Sequence, residues 1–369
     1  MPFEYQAAVL HAVGSPLAIE TVVAPDLAPT DVLVRIRAAG LCHTDLEVMR
    51  GQLRYPLPIV LGHEAAGVVE AVGAEARGVT PGDHVVLSWN PHCGQCFYCD
   101  RDLPILCDTY QREGAKALRF DGASPARLKD GRDLHHLMFL GAFGEYCVVP
   151  DQSAIPIPHA MPFDAACLIG CGVMTGAGAA LNIAEIGAGD TVLVIGCGAV
   201  GLAAVQGSRL AGAARIFACE LDPGKLDLAL SMGATDLIDA GRQDAVALIK
   251  AATEGRGADV VLESAGSPAA FRVTVEAVRP GGQVVWLGKV DVDQDVALRW
   301  GALMGEKRIR RSSYGGARPA RDFPMLAQAY LDGTLKLDEL ITRRIGLSEI
   351  NAGFDALAKG EAIRSVVMF

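Results

Sequence analysis

The chain has 369 residues, of which 51% are hydrophobic and 21% are charged, so it suits about two folded domains and is not a disordered chain. Its 43 acidic and 33 basic side chains leave a formal net charge of −10, which argues against binding to nucleic-acid phosphates. The N-terminal residues show no signal peptide, and no apolar run reaches the ~18 residues of a membrane span. We therefore expect a cytoplasmic protein with reduced thiols and no membrane partner.

The first third of the chain is predicted to be β-rich. Residues 32–38, 65–72 and 84–88 are alternating or apolar runs that are bounded by Gly, Pro and Asp, as strands usually are. Residues 93–144 lose this pattern and become polar, with several Gly and Arg residues. We expect this second stretch to form a lobe that leaves the β-rich domain.

From about residue 175 short apolar runs alternate with helical segments of about a dozen residues. This alternation predicts a doubly wound α/β domain with a parallel sheet. Helical sequence follows residue 314, and the chain ends in a strand-like run at residues 365–369. The apolar runs of the parallel sheet are residues 191–195, 215–219, 235–239, 259–263 and 283–288.

A dinucleotide-binding motif, GxGxxG, follows the first strand of this α/β domain and opens a helix. The predicted cofactor-binding residues of the motif are Gly196, Gly198, Val200 and Gly201. The next strand ends at Glu220, 19 residues beyond Gly201, where a carboxylate can bind ribose hydroxyls and repel a 2′-phosphate. We therefore predict NAD as the cofactor, with Lys225 near the same ribose.

Four cysteines lie within the polar lobe in the spacing C-x2-C-x2-C-x7-C. They are Cys93, Cys96, Cys99 and Cys107. Four thiolates in a reduced compartment suit a closed, tetrahedral structural zinc site. An iron–sulfur cluster is the competing interpretation, although Asp108 stands where such motifs usually have Pro.

Three further segments place a metal-ligand side chain beside glycine at a predicted strand end or turn. They contain Cys42, His63 and Cys171. Two Cys and one His, with water as the fourth ligand, are the composition of a catalytic zinc site. Spacing alone does not show that these three residues meet.

In motif content and order the chain resembles the zinc-dependent alcohol dehydrogenases of the medium-chain dehydrogenase/reductase superfamily, over essentially its whole length. The motifs are GLCHTD (residues 40–45), GHEAAGVVEAVG (62–73), PGDHV (81–85), GCGVMTG (170–176), GCGAVG (196–201) and IRSVVMF (363–369), together with the four-cysteine lobe. The resemblance implies a GroES-like catalytic domain and a Rossmann NAD-binding domain. The catalytic domain would comprise residues 1–174 and 314–369, with the lobe at about 92–110, and the Rossmann domain residues 175–313.

The resemblance also implies a catalytic zinc on Cys42, His63 and Cys171, so that each chain holds two zinc ions. Glu64 would lie beside this zinc, and Asp45 would hydrogen-bond to His63. The remaining implied roles are a proton acceptor (Thr44), pyrophosphate contacts (His43 and Arg364), a nicotinamide contact (Thr175) and a substrate pocket (Leu53 and Trp89).

The function that follows is the reversible oxidation of primary, apolar or aromatic alcohols to aldehydes, with hydride transfer to NAD, by a homodimer or homotetramer. Formaldehyde dehydrogenases that act on S-(hydroxymethyl) thiols share this architecture and are the first alternative. They carry an acid and an arginine where this chain has Leu53 and Gln111, although Arg112 is adjacent. A catalytically silent, zinc-stabilised dinucleotide sensor is the alternative from another class.

Two positions depart from the pattern of many relatives. Glu47 stands where some relatives end their proton relay with a histidine, and we expect Glu47 to be the terminal base. His43 stands where many have arginine, and it is only partly charged near neutral pH. We expect His43 to bind the cofactor more weakly than an arginine would at this position.

Overall fold

The computed structural model describes residues 3–369, and these residues form two units. The first unit contains the residues up to Cys171 together with Arg318–Phe369, and the second contains Gly172–Ala317. The domain boundaries that we predicted, at residues 174 and 314, stay a prediction.

A small closed barrel forms one part of the first unit. Its strands follow the order β1, β2, β7, β8 and β4 around the barrel. Two of these strands, β7 and β8, lie within residues 93–144, where the sequence predicts only a polar lobe. The bounds are Glu4–Leu10 for β1, Ala18–Val23 for β2, Ile59–Val60 for β4, Ala126–Leu128 for β7 and Asp133–His136 for β8.

A seven-stranded sheet forms the other part of this unit. Its order is β10, β6, β5, β3, β18 and β17, with β9 also paired to β3. In β3 the valines and isoleucine are buried while Arg35 and Arg37 are exposed, so one face of the strand packs on the core. The bounds are Asp31–Gly40 for β3, Ala65–Val72 for β5, His84–Leu87 for β6, Tyr146–Pro150 for β9, Ala154–Pro156 for β10, Ile341–Gly346 for β17 and Arg364–Met368 for β18.

The C-terminal strand pairs with the strand that leads into the first predicted zinc ligand. Val366 is opposite Gly40 in the antiparallel pairing of β18 with β3. The N–H of Leu41 also donates to the carbonyl of Ser365, at 2.9 Å. The helices of this unit are α1 (His43–Met49), α2 (Asp108–Glu113), α3 (Phe163–Leu168), α9 (Pro319–Leu331) and α10 (Ile350–Ala358).

The second unit contains a six-stranded, wholly parallel sheet in the order β13, β12, β11, β14, β15 and β16. The two central strands, β11 and β14, are apolar and buried throughout their middle, as expected where helices cover both faces. The predicted doubly wound parallel sheet is confirmed. The bounds are Thr191–Ile195 for β11, Arg215–Glu220 for β12, Asp236–Asp239 for β13, Ala258–Glu263 for β14, Val278–Trp286 for β15 and Arg308–Arg311 for β16.

Side-chain caps set the beginnings of three helices that connect these strands. Asp222, Asp244 and Ser267 each accept a hydrogen bond from a backbone N–H in the first turn of α6, α7 and α8, at 3.0–3.1 Å. Such caps satisfy N–H groups that have no partner within the helix. The helices are α4 (Met174–Gly178), α5 (Ala199–Leu210), α6 (Pro223–Ser231), α7 (Ala245–Ala252) and α8 (Pro268–Ala277).

One helical segment, Phe163–Ile183, is 21 residues long and apolar enough to pass a composition test for a membrane span. The segment is not one unbroken apolar run, since it contains Asp164, Thr175 and Asn182. An 18-residue stretch of this segment is 72% buried inside the protein, so the segment has the burial of a core helix. It includes two stretches of π-helix, Ile169–Val173 and Ala179–Ile183.

Candidate metal centres and cofactor site

Cys42 lies at the junction between β3 and α1. Its backbone is extended (φ −122°, ψ 153°), while its carbonyl already accepts hydrogen bonds from the N–H groups of Asp45 and Leu46. The thiol is therefore held at the point where the strand turns into the helix. Asp45 follows within the first turn and is fully buried.

His63 and Glu64 lie in the tight connection between β4 and β5. Gly62 has φ +94°, and a Cβ there would lie 2.8 Å from the backbone nitrogen of Phe143, so the turn requires glycine. One oxygen of Asp45 accepts from the N–H of Gly62 at 2.9 Å and lies 3.2 Å from Nδ1 of His63. The predicted pairing of Asp45 with His63 is present, and it fixes which ring nitrogen faces the cluster.

Cys171 lies in the first π-helical stretch of the segment Phe163–Ile183. π-Turns are rare and occur often at functional sites, because the wider turn changes the direction of one side chain. The neighbouring Gly170 packs closely, since a Cβ there would lie 2.9 Å from the carbonyl oxygen of Leu87. Helix geometry and a small neighbour together position this thiol.

These elements bring Cys42, His63, Glu64 and Cys171 together, with one ligand atom from each residue within 4.8 Å of the others. Nε2 of His63 is buried and has no hydrogen-bond partner within residues 3–369, which is unusual for a buried nitrogen. A metal ion would satisfy it. The donor set, two thiols and an imidazole with a carboxylate beside them, fits a catalytic zinc site.

Charge also favours a cation at this cluster. Cys42, Cys171, Glu64 and Asp45 can each be anionic, whereas Arg364 is the permanent cation that the structure places among them. Its guanidinium lies 3.2 Å from a carboxylate oxygen of Glu64, and both side chains are buried. Sequence reasoning missed this ion pair, because it joins residues 300 positions apart.

The ionisation of the cluster follows from these contacts. A hydrogen bond from the Cys171 thiol holds the pKa of Cys42 well below its ordinary value, against the effect of burial and with help from the charge of His63. The same hydrogen bond, with burial, raises the pKa of Cys171 well above its ordinary value. Burial raises the pKa of Glu64 to about 7, although Arg364 opposes this change.

The four lobe cysteines form a second cluster, with their sulfurs within 4.8 Å of one another. Sγ of Cys96 lies 3.5 Å from that of Cys99 and 4.0 Å from that of Cys107. A tetrahedral zinc with Zn–S bonds of about 2.3 Å separates its sulfurs by about 3.8 Å, so the spacing fits. None of the ten cysteines, all within the described residues, forms a disulfide.

Backbone N–H groups support negative charge on these sulfurs. The N–H of Cys93 donates to Sγ of Cys107 at 3.3 Å, and that of Asp108 donates to Sγ of Cys96 at 3.4 Å. Although burial opposes it, hydrogen bonding from Gln95 and neighbouring groups lowers the pKa of Cys93 to about 6. Burial and the hydrogen bond with Cys96 raise the pKa of Cys99 to about 12. Without a metal the lobe therefore favours thiolates at Cys93 and Cys96, and a structural zinc would have to displace the proton of Cys99.

The glycine motif of the second unit follows β11 and opens α5, as predicted. Gly196 has φ +89°, and a Cβ at Gly201 would clash with the carbonyl oxygen of Gly196, so both positions require glycine. A Cβ at Gly198 would instead meet no atom within 4 Å. The backbone at Gly198 is therefore open to a close approach, which is how such loops receive a pyrophosphate.

Glu220 ends β12 beside this loop, and its carboxylate accepts a hydrogen bond from the N–H of Cys197 at 2.7 Å. The acid is thus next to the glycine motif, where it can reach a ribose. Nζ of Lys225 lies 3.9 Å from a carboxylate oxygen of Asp222, so Lys225 is held in the same region.

The structure places the other predicted residues as follows. In α1, His43 is exposed, whereas Thr44 and Glu47 are half-buried. Leu53 and Trp89 pack against the core of the first unit, and Thr175 is half-buried in α4 of the second. Arg364 is buried against Glu64, and its predicted pyrophosphate contact, like the roles of the others, stays a prediction.

Two aromatic residues that sequence reasoning did not assign, Tyr110 and Phe139, pack in a row with Trp89. The ring of Tyr110 is 6.0 Å from that of Trp89 and 5.9 Å from that of Phe139, centroid to centroid. Burial raises the pKa of Tyr110, and the charges of Tyr55 and Cys171 act in the same direction. The position of Tyr110, three residues beyond the last lobe cysteine, was the available signal.

Two family models match the chain. The one described as "Alcohol dehydrogenase GroES-like domain" matches residues 28–159, and the one described as "Zinc-binding dehydrogenase" matches residues 199–331. The predicted GroES-like and Rossmann architecture is confirmed by these matches and by the topology of the sheets. Zinc and NAD, the predicted cofactors, are the cofactors of this family.

Individual proteins agree with the family models. The chain is 35% identical to S-(hydroxymethyl)glutathione dehydrogenase of Saccharomyces cerevisiae, over 99% of this chain and 96% of that protein. The crystal structure of an "alcohol dehydrogenase zinc-binding domain protein" from Burkholderia ambifaria superposes on this chain with a TM-score of 0.96 at 34% identity, over 100% of both chains. Benzyl alcohol dehydrogenase from Acinetobacter calcoaceticus superposes with a TM-score of 0.94 at 29% identity, over 100% of this chain and 99% of that one.

Proposed function

Because the chain belongs to the zinc-dependent alcohol dehydrogenases of the medium-chain dehydrogenase/reductase superfamily, we propose that it oxidises S-(hydroxymethyl) thiols with NAD. The observation that supports dehydrogenase chemistry is the convergence of Cys42, His63 and Cys171, with Glu64 beside them. In this proposal the first three residues hold the catalytic zinc and Glu64 lies next to it. The four lobe cysteines hold the structural zinc.

When bound, the zinc would act as a Lewis acid, which lowers the pKa of a substrate hydroxyl or polarises an aldehyde. The chain's own residues direct that chemistry. Asp45 holds His63 in the tautomer whose Nε2 faces the cluster. Thr44, two residues beyond Cys42, accepts the proton of the substrate hydroxyl, and Glu47 lies one helical turn further on to receive it.

The cofactor is held in this proposal by the carboxyl edge of the parallel sheet. The open backbone at Gly198 receives the pyrophosphate, and Val200 lies in the first turn of the helix behind it. Glu220 binds the adenosine ribose hydroxyls with Lys225 nearby, and its charge disfavours the 2′-phosphate of NADP. His43 and Thr175 are proposed contacts to the pyrophosphate and the nicotinamide.

The relatives favour S-(hydroxymethyl) thiols over the apolar or aromatic alcohols that the sequence predicted as substrates. Several of them carry the name S-(hydroxymethyl)glutathione dehydrogenase. In this chain Arg112 is the cation nearest the position of the missing arginine, and its side chain is 62% exposed. Its Nε donates to the carboxylate of Glu113 at 2.7 Å, and in this proposal the rest of the exposed guanidinium binds a carboxylate of the thiol adduct.

Aromatic alcohols are the second candidate, because a specific observation favours them. Trp89, Tyr110 and Phe139 form a row of aromatic rings, and the charge of Cys171 acts on the Tyr110 phenol. Aromatic walls favour a flat apolar substrate. One structural neighbour is a benzyl alcohol dehydrogenase.

A comparison of kcat/KM for S-(hydroxymethyl)glutathione and benzyl alcohol, with NAD and NADP, tests the proposal. We expect the thiol adduct to be preferred and Arg112→Ala to lower its kcat/KM by about tenfold, while Arg101→Ala, a matched control in the lobe, does not. A preference for benzyl alcohol that Arg112→Ala leaves unchanged would favour the second candidate. Absence of alcohol-dependent NADH formation, with both zincs present, would favour the silent sensor.

We propose a homo-oligomer as the assembled form. Val292, Trp300 and Met304 are large apolar side chains that are 66–86% exposed in one part of the second unit, and surfaces of this kind are often covered in an assembly. Light scattering would show a dimer or tetramer, and a monomer at micromolar concentration would contradict this proposal.

A further inference from the structure

A buried carboxylate that the proposed chemistry does not use lies at the end of a central strand. Glu263 is the last residue of β14 and is fully buried. In the parallel pairing it is opposite Ile195, the residue directly before the glycine motif. Glu263 therefore ends its strand next to the proposed pyrophosphate loop.

Two loops are tied to this residue. One oxygen of its carboxylate, Oε1, accepts a hydrogen bond from the N–H of Gly266 at 2.6 Å. Its backbone carbonyl accepts from the N–H groups of Leu287 and Gly288, at 2.7 and 3.0 Å. A Cβ at Gly288 would lie 2.7 Å from Oε2 of Glu263, so the second loop passes directly over the carboxylate.

The first of these loops is also joined to the glycine motif. The hydroxyl of Ser264 lies 3.1 Å from the carbonyl oxygen of Gly196. The N–H of Ser264 donates to the carbonyl oxygen of Ile195 at 2.8 Å. Movement of Glu263 would therefore shift the pyrophosphate loop as well as both flanking loops.

The strand order shows which part of a dinucleotide these loops would meet. The chain order reverses between β11 and β14, and ligands of doubly wound sheets bind outside the carboxyl ends at this switch point. Each half of such a sheet receives one nucleotide half. Because Glu220 is on the half that contains β12, the loops at Glu263 are on the half that receives the nicotinamide nucleotide.

We propose that Glu263 is a positioning residue for the nicotinamide half of the cofactor and that its buried charge strengthens the binding of oxidised NAD relative to that of NADH. This inference rests on the proposed NAD function. The nicotinamide ring is cationic in oxidised NAD and neutral in NADH, so a nearby carboxylate in a medium of low dielectric constant stabilises the oxidised form selectively.

The surroundings of the carboxylate support a role for its charge. Oε2 is buried without a hydrogen-bond partner in the part of the chain that the structure describes, an arrangement that costs free energy for a group serving only as a clamp. Burial raises the pKa of Glu263, while the hydrogen bond from the N–H of Gly266 and the charge of Arg311 act in the opposite direction. Arg311 makes its own hydrogen bond to the carbonyl of Trp286, at 3.1 Å.

Equilibrium binding of NAD, NADH and ADP-ribose to the zinc-loaded protein tests the inference, with Glu263→Gln as the neutral variant of similar shape. We expect its Kd for NAD to rise by about tenfold and its Kd for NADH by less than about threefold. ADP-ribose, which lacks the nicotinamide, should bind as it does to the wild type. Equal changes for NAD and NADH, or no change, would overturn the role of the charge.

Glu263→Asp keeps the charge and moves it, so it separates charge from position. We expect weaker binding of both NAD and NADH, with the ratio of the NADH Kd to the NAD Kd retained. A fall of that ratio by about threefold or more would overturn the inference. This variant decides the question even where Glu263→Gln does not fold. If the wild type binds neither NAD nor ADP-ribose, the proposed function itself has failed.

Discussion

The two cysteine clusters of the first unit contrast in how they are built. The lobe cluster takes its four thiols from residues 93–107, on one polar loop, and three of the four are partly exposed. The Cys42 cluster takes its ligands from a strand–helix junction, a strand connection and a π-helical stretch, spread over residues 42–171. A local set of thiols can organise a loop, whereas a dispersed set requires that the fold already exists.

The two clusters also differ in how many of the four zinc positions their side chains fill. Four thiolates complete a tetrahedral zinc, and no position remains for a substrate. Two thiols and an imidazole leave a fourth position, with Glu64 beside it and held by Arg364. The lobe therefore suits stability and the Cys42 cluster suits catalysis, and the following changes test this division.

The largest effect is expected from His63→Ala. Loss of the imidazole should remove the catalytic zinc and lower kcat/KM on the order of 10³-fold, because a Lewis acid contributes several kcal/mol. Elemental analysis should give one zinc per chain instead of two, with little change in the unfolding temperature. His135→Ala, on β8, is the matched control and should keep both zincs. Unchanged turnover in His63→Ala would contradict the assignment.

Cys96→Ser should act on stability instead of chemistry. Loss of one thiolate should empty the lobe and lower the unfolding temperature by about 5–10 °C, because zinc binding contributes to folding. Scanning calorimetry with a zinc count measures both effects. Cys147→Ala, which removes a buried core thiol, should retain both zincs. If Cys96→Ser instead abolished turnover with stability intact, the two clusters would have exchanged roles.

Asp45→Asn tests the support behind the imidazole. The amide can still accept from the N–H of Gly62, but it removes the charge that faces Nδ1 of His63. Such changes typically lower metal affinity or activity by about 10–100-fold. A competition with a metal-binding dye should show weaker binding of one zinc and an unchanged second zinc. Equal weakening of both zincs would count against a local effect.

Glu47→Gln should give the smallest effect. As the proposed end of the proton path, it should change the pH dependence of hydride transfer and lower its rate by about threefold near pH 7, since water can replace it. Stopped-flow measurement with deuterated substrate isolates that step. A profile identical to wild type across neutral pH would exclude Glu47 from the path. Glu75→Gln, an exposed acid elsewhere in the unit, is the control.

The elements that the sequence predicted best are those with a local signal. The run at residues 65–72 and the glycine motif after β11 are set by alternation and by required glycines, so their positions agree with the structure. The short strands β7 and β8 were not predicted, because three or four residues give too little periodicity. The lobe cysteines were recognisable from spacing, whereas Cys42, His63 and Cys171 required the family motifs.

Other features depend on contacts that no local pattern contains. The pairing of Arg364 with Glu64 joins residues 300 positions apart, and no local sequence pattern around residue 364 predicts it. The helical segment Phe163–Ile183 was not predicted, because its many glycines and alanines give no clear periodicity of large side chains. The packing of Tyr110 against Trp89 and Phe139 is likewise set by tertiary contacts.

The pairing of the C-terminal strand with β3 has a consequence for synthesis on the ribosome. The lobe has all its ligands once residue 107 has emerged, so zinc can bind there early. The Cys42 cluster lacks its support until β18 has emerged, because the carbonyl of Ser365 accepts from the N–H of Leu41 and Arg364 pairs with Glu64. A chain that stops before β18 would therefore carry metal in the lobe and remain inert, so the emergence of β18 is the step that completes the Cys42 cluster.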